Sequence, residues 1–274
     1  MLQFTSLNSG SNGNCYYVGN ATEAVLIDAG LSCKETERRM QQVGLNIKLV
    51  KAIFVSHEHI DHVRGLAGLA DKYNLPVYVT PLTQKGCYHL NATHAKSFTK
   101  DIPITIGDLS IVAFTKNHDA ADPHSFIIES KGITVGVFTD IGVVCKNLIA
   151  HFKLCNAAFL EANYDVQMLA NGRYPTFLKQ RISGGKGHLS NDEALQIFKN
   201  CHSKKLSFLI LGHLSKDNNC PTLVKNLFEL EALPCKILVA SRNEAMPLLT
   251  LQQNKNSIKT LLNNKNKCKQ LAMF

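Results

Sequence analysis

The 274-residue sequence predicts an α/β fold, and three observations carry that expectation. Apolar runs of strand length alternate along the chain with charged or amphipathic stretches of helical length. Several of the runs stop at a Gly, Asp or His followed by a polar loop, which is how buried strands deliver functional groups at their ends. An apolar fraction of 45% can support a sizeable core. The chain length allows one large domain or two small ones, and we take it as one domain over residues 1–252, followed by a basic tail over 253–274.

Leu2 to Leu7 and Cys15 to Val18 read as strands around the polar turn Asn8-Ser9-Gly10-Ser11-Asn12-Gly13-Asn14. Ala24 to Gly30 is a buried strand closing on an acidic turn at Asp28, and Cys33 to Val43 is a charged helix. Leu49 to Val55 is a second buried strand. A helix begins at Asp61-His62 and runs through Val63, Leu66, Leu69 and Ala70, with Gly65 and Gly68 leaving room for close backbone approach. Val77 to Val79 is a short strand, Pro81 to His89 a helix, and Ile102 to Phe114 two strands joined at Gly107-Asp108. Phe126 to Glu129 and Ile133 to Phe138 form a hairpin around Lys131-Gly132, with Thr139-Asp140 directly after it. Asn156 to Leu160 and Leu206 to Leu211 are buried strands; Asp192 to Cys201 and Pro221 to Glu231 are helices; Cys235 to Ala240 is a strand.

The chemistry concentrates in Val55-Ser56-His57-Glu58-His59-Ile60-Asp61-His62. His57 and His59 are two apart, so an extended chain sends both side chains from one face, whereas a helix would point them apart. They therefore sit in the loop at the end of the preceding strand. Imidazole nitrogens and carboxylate oxygens suit zinc, iron or manganese, and this density suits two ions better than one. A second concentration, Arg173 to Ser190, gathers Arg173, Lys179, Arg181 and Lys186 ahead of Ser183-Gly184-Gly185-Lys186-Gly187-His188-Leu189-Ser190-Asn191. Ser190 or Asn191 is a natural N-cap. Backbone N–H groups of such a loop and the positive end of the following helix can hold a phosphate.

His57-x-His59-x-Asp61-His62 resembles the signature of the metallo-β-lactamase-fold hydrolases. Ser9-Gly10-Ser11-x-Gly13-Asn14, Glu161-Ala162-Asn163-Tyr164-Asp165, Gly187-His188-Leu189-Ser190-Asn191 and Leu211-Gly212-His213-Leu214-Ser215 are similar to the WalJ (YycJ) branch of that family. The resemblance covers roughly residues 2 to 250. It implies a four-layer αββα fold with two mixed β-sheets between helices. It implies metal ligands at His57, His59, Asp61, His62, His118 and His213, with Asp140 bridging two divalent ions, zinc or manganese, with iron as a third candidate. Asp28 then orders the site loops, and Glu161 supports the ligands from behind.

The same resemblance implies a phosphodiesterase or nuclease that acts on nucleic acid, DNA in the first instance, from the 5′ end. A hydroxide between the ions attacks the phosphodiester. Asp61 and His188 are the catalytic residues, His188 assisting leaving-group departure, and Arg181, Lys186 and Ser190 hold phosphate. His89 and His94 are expected at the surface, and His124 at the start of a core strand.

Two other readings share the metal motif: a small-molecule hydrolase acting on a cyclic phosphodiester or a thioester, and a silent binding module. The basic loop argues against a thioester. The lack of an additional Cys/His metal site argues against the cyclic phosphodiester, and the full ligand set argues against silence.

Composition agrees without deciding. The formal charge is +9, which suits an anionic partner. However, five of the lysines (Lys255, Lys259, Lys265, Lys267 and Lys269) lie in the tail, so the body carries about +4. Nine cysteines, an odd number with no C-x-x-C pair, favour reduced thiols and a cytoplasmic setting. The N-terminus lacks the pattern of a secretion signal, and no apolar run approaches the roughly 20 residues that span a bilayer.

Overall fold

The computed structural model describes residues 1–231 and 234–252; the basic tail 253–274 lies outside the described residues. Two seven-stranded sheets face each other. The first contains β1 (Leu2–Asn8), β2 (Cys15–Gly19), β3 (Ala24–Ile27), β4 (Val50–Phe54), β5 (Val77–Tyr78) and β6 (Ala95–Lys96). The second contains β7 (Ile104–Ile106), β8 (Leu109–Thr115), β9 (His124–Ser130), β10 (Ile133–Phe138), β11 (Ala157–Glu161), β12 (Phe208–Gly212) and β13 (Lys236–Val239). β14 (Leu249–Leu251) returns to pair with β1, so the spatial orders are 14-1-2-3-4-5-6 and 13-12-11-10-9-8-7. Each sheet is antiparallel on one side and parallel on the other: β3 to β6 run parallel, and so do β10 to β13.

Period-two alternation sorts the side chains into three apolar layers. Phe4, Tyr16, Ile27 and Phe54 from one sheet meet Phe126, Val137, Phe159 and Ile210 from the other, and this inter-sheet layer is fully dry. The outer face of the first sheet carries Tyr17, Leu26 and Ile53 against α1 (Cys33–Gln42) and, past the short helix α2 (Ile60–Val63), against α3 (Leu66–Tyr73); α4 (Pro81–Gly86) follows β5. The outer face of the second carries Phe138, Leu160 and Leu211 against α5 (Lys146–Phe152) and, after α6 (Val166–Asn171) and α7 (Thr176–Ser183), against α8 (Asn191–Cys201) and α9 (Pro221–Glu229). Full burial of each such aromatic or leucine contributes about 1.5–3 kcal/mol. The architecture is the αββα sandwich expected from the sequence. None of the described helices is long and apolar enough to cross a membrane, and the eight described cysteines are free thiols.

The helix expected from Asp61 through Ala70 is broken into α2 and α3. Gly65 donates its N–H to Ala29 O at 2.8 Å, and a Cβ on it would lie 1.7 Å from Leu31 O. That tertiary contact stops the first turn. Gly68 plays no such part, since a Cβ there meets only the Cys33 side chain at 3.4 Å. The elements β6, α5, α6, α7 and β14 are not among those expected from the sequence; all are short, from Ala95–Lys96 to the eight residues of Thr176–Ser183. Helix α7 buries none of its residues.

The candidate metal centre

The parallel strands of both sheets end on the same side, and their C-terminal ends carry the titratable groups, which is where open α/β sheets bind ligands. β4 leads into His57, His59, Asp61 and His62; β8 leads to His118, β10 to Asp140, β11 ends in Glu161 and β12 leads to His213. Three of the residues holding this region, Asp28, Asp140 and His213, have left-handed backbones with φ of 62°, 54° and 55°. Such conformations are uncommon outside glycine and concentrate at functional turns.

The orientation of each imidazole is set from behind. Ser56 donates its N–H to Asp28 Oδ1 (2.7 Å) and its hydroxyl to Asp28 Oδ2 (2.8 Å). With its single proton so used, the Ser56 hydroxyl accepts from His57 Nδ1 at 2.9 Å. His62 Nδ1 donates to Asp28 Oδ2 (2.7 Å), His118 Nδ1 to Gly187 O (3.1 Å) and His213 Nδ1 to Glu161 Oε1 (2.9 Å). Four imidazoles thus have Nδ1 tied to an acceptor, which leaves Nε2 as the atom presented to the centre. His59 instead turns Nδ1 inward, 3.1 Å from His57 Nε2.

His57, His59 and His118 bring one ligand atom each within 4.8 Å of one another, and Asp61, His62 and His213 do the same. His57, His62 and Asp140 form a third such group, so Asp140 joins the two clusters. Asp140 Oδ2 lies 3.2 Å from His62 Nε2, and its Oδ1 lies 3.4 Å from His213 Nε2 and 3.8 Å from His118 Nε2. His118 Nε2, His213 Nε2 and Asp140 Oδ2 are buried with no hydrogen-bond partner. Orphaned polar atoms are costly in a buried site. Here they converge, and the nitrogen and carboxylate donor set is that of a divalent metal. All seven ligand positions expected from the sequence meet at this centre.

The charges point the same way. Burial opposes protonation of His62, yet the Asp140, Asp28 and Asp61 carboxylates outweigh it and push the imidazole up to about 10. Burial lowers His57 well below the usual imidazole range and His118 to about 4. Burial alone would raise Asp140, but the His213 and His62 imidazoles hold it well below the ordinary carboxylate range. Four carboxylates (Asp28, Asp61, Asp140 and Glu161) surround the centre against one buried lysine, Lys116, whose ammonium donates to Thr139 O at 2.7 Å. The region is built to be neutralised by cations.

A cavity of about 190 Å³ opens onto this cluster, with Arg181, Lys186 and Leu178 in its wall. His188 faces it, its side chain 22% exposed, with Nδ1 on Glu161 Oε1 at 2.8 Å. Fully buried Glu161 therefore serves both His188 and His213 through Oε1, while its Oε2 accepts the N–H groups of Ile141 (2.6 Å) and Leu189 (3.3 Å). Arg181 pairs with Asp119 at 3.1 Å, both side chains more than half exposed. An ion pair that open to water contributes little and yields readily to a phosphate.

Ser190 is a correction. Its hydroxyl accepts the Glu193 N–H and its backbone N–H donates to the Glu193 carboxylate, a complete capping box on α8, and the hydroxyl proton also goes to that carboxylate. The residue is buried and outside the cavity wall, so it is not available to a phosphate. His124 opens β9 with Nδ1 on Asp122 O (2.9 Å) and its ring against Phe98, away from the centre. His89 is exposed and His94 pairs with Asp71 at 3.1 Å.

The reading from sequence missed the part played by individual residues of the Asn8–Asn14 turn. Asn14 Nδ2 lies 3.2 Å from Asp61 Oδ2 and 3.0 Å from His62 Nε2, and Ser9 Oγ accepts the backbone N–H of His213 at 2.8 Å. The density of Ser, Asn and Gly in that turn was the available signal. Beneath Asp61, a Cβ on Gly30 would lie 1.7 Å from Asp61 O, so only glycine lets these two loops touch.

Residues 23–213 match the sequence model of the beta-lactamase superfamily domain. The chain is 39% identical over 228 residues to the exodeoxyribonuclease YycJ of Bacillus anthracis, covering 82% of this chain and 86% of that protein. It is 29% identical over 261 residues to the exodeoxyribonuclease WalJ of Streptococcus pneumoniae, covering 90% and 97%. In structure it is similar to the metallo-β-lactamase fold protein YhfI from Bacillus subtilis, with a TM-score of 0.69 at 17% identity over 90% of this chain and 99% of that one. This chain belongs to the metallo-β-lactamase superfamily, in the branch that holds YycJ and WalJ.

Proposed function

We propose that the protein is a dinuclear-metal phosphodiesterase that degrades DNA from the 5′ end. His57, His59 and His118 would hold one ion and Asp61, His62 and His213 a second, and Asp140 is placed to serve both. The set suits zinc or manganese, with iron as a third candidate. When bound, such ions supply an activated water and a clamp on the scissile phosphate. The chain's own groups do the rest. Arg181 and Lys186 in the cavity wall attract and orient the phosphodiester. His188 carries a proton on Nε2 to the departing oxygen, while the Glu161 carboxylate on its Nδ1 holds the ring in place. Asp61 combines ligation with a place in the cavity wall beside the reacting phosphate.

The observation that carries this reading is the Glu161–His188 pair at 2.8 Å, set beside two joined ligand clusters under a basic rim. A thioester or neutral ester has no use for that rim. Identity to proteins named exodeoxyribonucleases supports DNA as the substrate.

The test is digestion of 5′-labelled and 3′-labelled duplex DNA by protein reconstituted separately with manganese and with zinc, beside His188→Ala. Early release of 5′-terminal mononucleotides, slowed about 10²–10⁴-fold in the variant, is the expected result. Intact DNA alongside rapid hydrolysis of a small phosphodiester would replace this reading with a small-substrate enzyme.

A further inference from the structure

A second cavity, of about 280 Å³, shares the Ser9–Asn14 loop with the metal centre: Ser9 lines the second cavity and Ser11 lines the first. It begins one residue beyond His213, whose N–H is held by Ser9 Oγ. Leu214, Pro221 and Val239 give it an apolar wall, and Lys216 and Arg242 give it two cations. Arg242 Nη2 donates to Ser11 Oγ at 3.1 Å, which ties the cation to the ridge between the cavities. Its Nη1 is buried and has no hydrogen-bond partner. Lys216 is exposed beside it. The volume lies just under the range of about 300–1,000 Å³ usual for drug-sized ligands, so the occupant is small.

We propose that this cavity is a nucleotide subsite adjoining the scissile linkage. It takes one base or sugar against Leu214, Pro221 and Val239, and the accompanying phosphate on Arg242 and Lys216. The substrate strand then crosses the Ser11 ridge between the two cavities, so that the enzyme grips DNA on a neighbouring residue as well as at the reacting phosphate. This subsite rests on the DNA phosphodiesterase reading above.

The test uses the full chain reconstituted with manganese. Steady-state kinetics are measured on bis(p-nitrophenyl) phosphate, which carries no base, sugar or second phosphate, and on a 5′-phosphorylated hairpin DNA. Arg242→Ala is expected to raise KM for the hairpin about tenfold, the worth of one charge-assisted contact, with kcat held. Lys216→Ala, at an exposed residue, is expected to raise KM in the same direction. Val239→Phe, which fills the cavity, is expected to do the same. Unchanged hairpin KM in all three variants overturns the subsite. A fall in kcat at unchanged KM for Arg242→Ala assigns Arg242 to bracing the Ser11 ridge and also overturns it. A wild-type protein that cleaves neither substrate overturns the phosphodiesterase reading, and the subsite with it.

Discussion

Replacing Glu161 with Gln changes no volume and removes one charge, yet it should dismantle part of the centre. The buried carboxylate receives four donors: His188 and His213 on Oε1, and the Ile141 and Leu189 N–H groups on Oε2. An amide can accept on one side only. If its oxygen faces the imidazoles, the NH₂ meets two backbone N–H groups that have no other acceptor. If it faces the backbone, the two imidazoles must give up their Nδ1 protons, and the proton of His213 moves to Nε2, the atom aimed at the metal. A stranded buried donor costs about 1–3 kcal/mol, and loss of an orienting partner behind a metal ligand typically costs about 10–100-fold in affinity. We expect the metal-free Glu161→Gln protein to melt lower, by about 2–4 °C per kcal/mol lost. Chelator competition should show metal affinity weakened at least tenfold. If the variant matches wild type in metal-free melting and in metal affinity, the assignment of Glu161 as the shared support of His188 and His213 is wrong.

Other consequences are open to measurement. Gly30→Ala places a methyl where Asp61 O now lies, 1.7 Å away; it should destabilise by about 1–3 kcal/mol or more and weaken metal binding, read by urea unfolding and metal titration. Because the Asp140, Asp28 and Asp61 carboxylates push His62 up to about 10 against its burial, metal binding near neutrality should release protons, and calorimetry in buffers of different ionisation enthalpy should show it. Metal at about 100 times its Kd should add about 2.7 kcal/mol to stability, which excess chelator removes. Away from the centre, hydrogen bonds from Arg38 foremost, and from Arg39, hold Glu35 at about 2, below its ordinary 4.5. A carboxyl with a lowered folded pKa stabilises above the unfolded value and loses that contribution as pH falls towards the folded one. The stability gap between wild type and Glu35→Gln, about 1 kcal/mol for so exposed a pair, should therefore be full above about pH 5 and vanish near pH 2 in urea titrations.

How much of this was legible in the sequence depends on how far apart the partners lie. His57, His59, Asp61 and His62 are a local phrase, and spacing alone makes them a candidate metal site. His118, Asp140 and His213 are single residues at the ends of apolar runs, and only the family resemblance connected them to that phrase. The Asn8–Asn14 turn reads locally as a hairpin, and only the family resemblance set it beside the site. The partners that give it purpose are 47 residues away for Asn14 and Asp61, and 204 for Ser9 and His213. Ser190 shows two expectations competing for one residue: the N-cap role holds, completed by Glu193 three residues on as a capping box, and that use occupies its hydroxyl and backbone N–H. Helix α7 buries no side chain, so it left no period to read.

The backbone carries information that side-chain pattern could not. Asp28, Asp140 and His213 all sit at strand ends with φ between 54° and 62°, a conformation that costs a non-glycine residue about 1–3 kcal/mol. Glycine would relieve that cost at each position, and each position would then lose an acceptor or a ligand. Stability alone therefore does not account for these residues. What they share is the direction of their side chains: Asp28 turns His62 inward, Asp140 lies between the two clusters, and His213 closes the second. The strain is the mark of a centre whose geometry the surrounding sheets enforce, backed by a fully buried, close-packed inter-sheet layer.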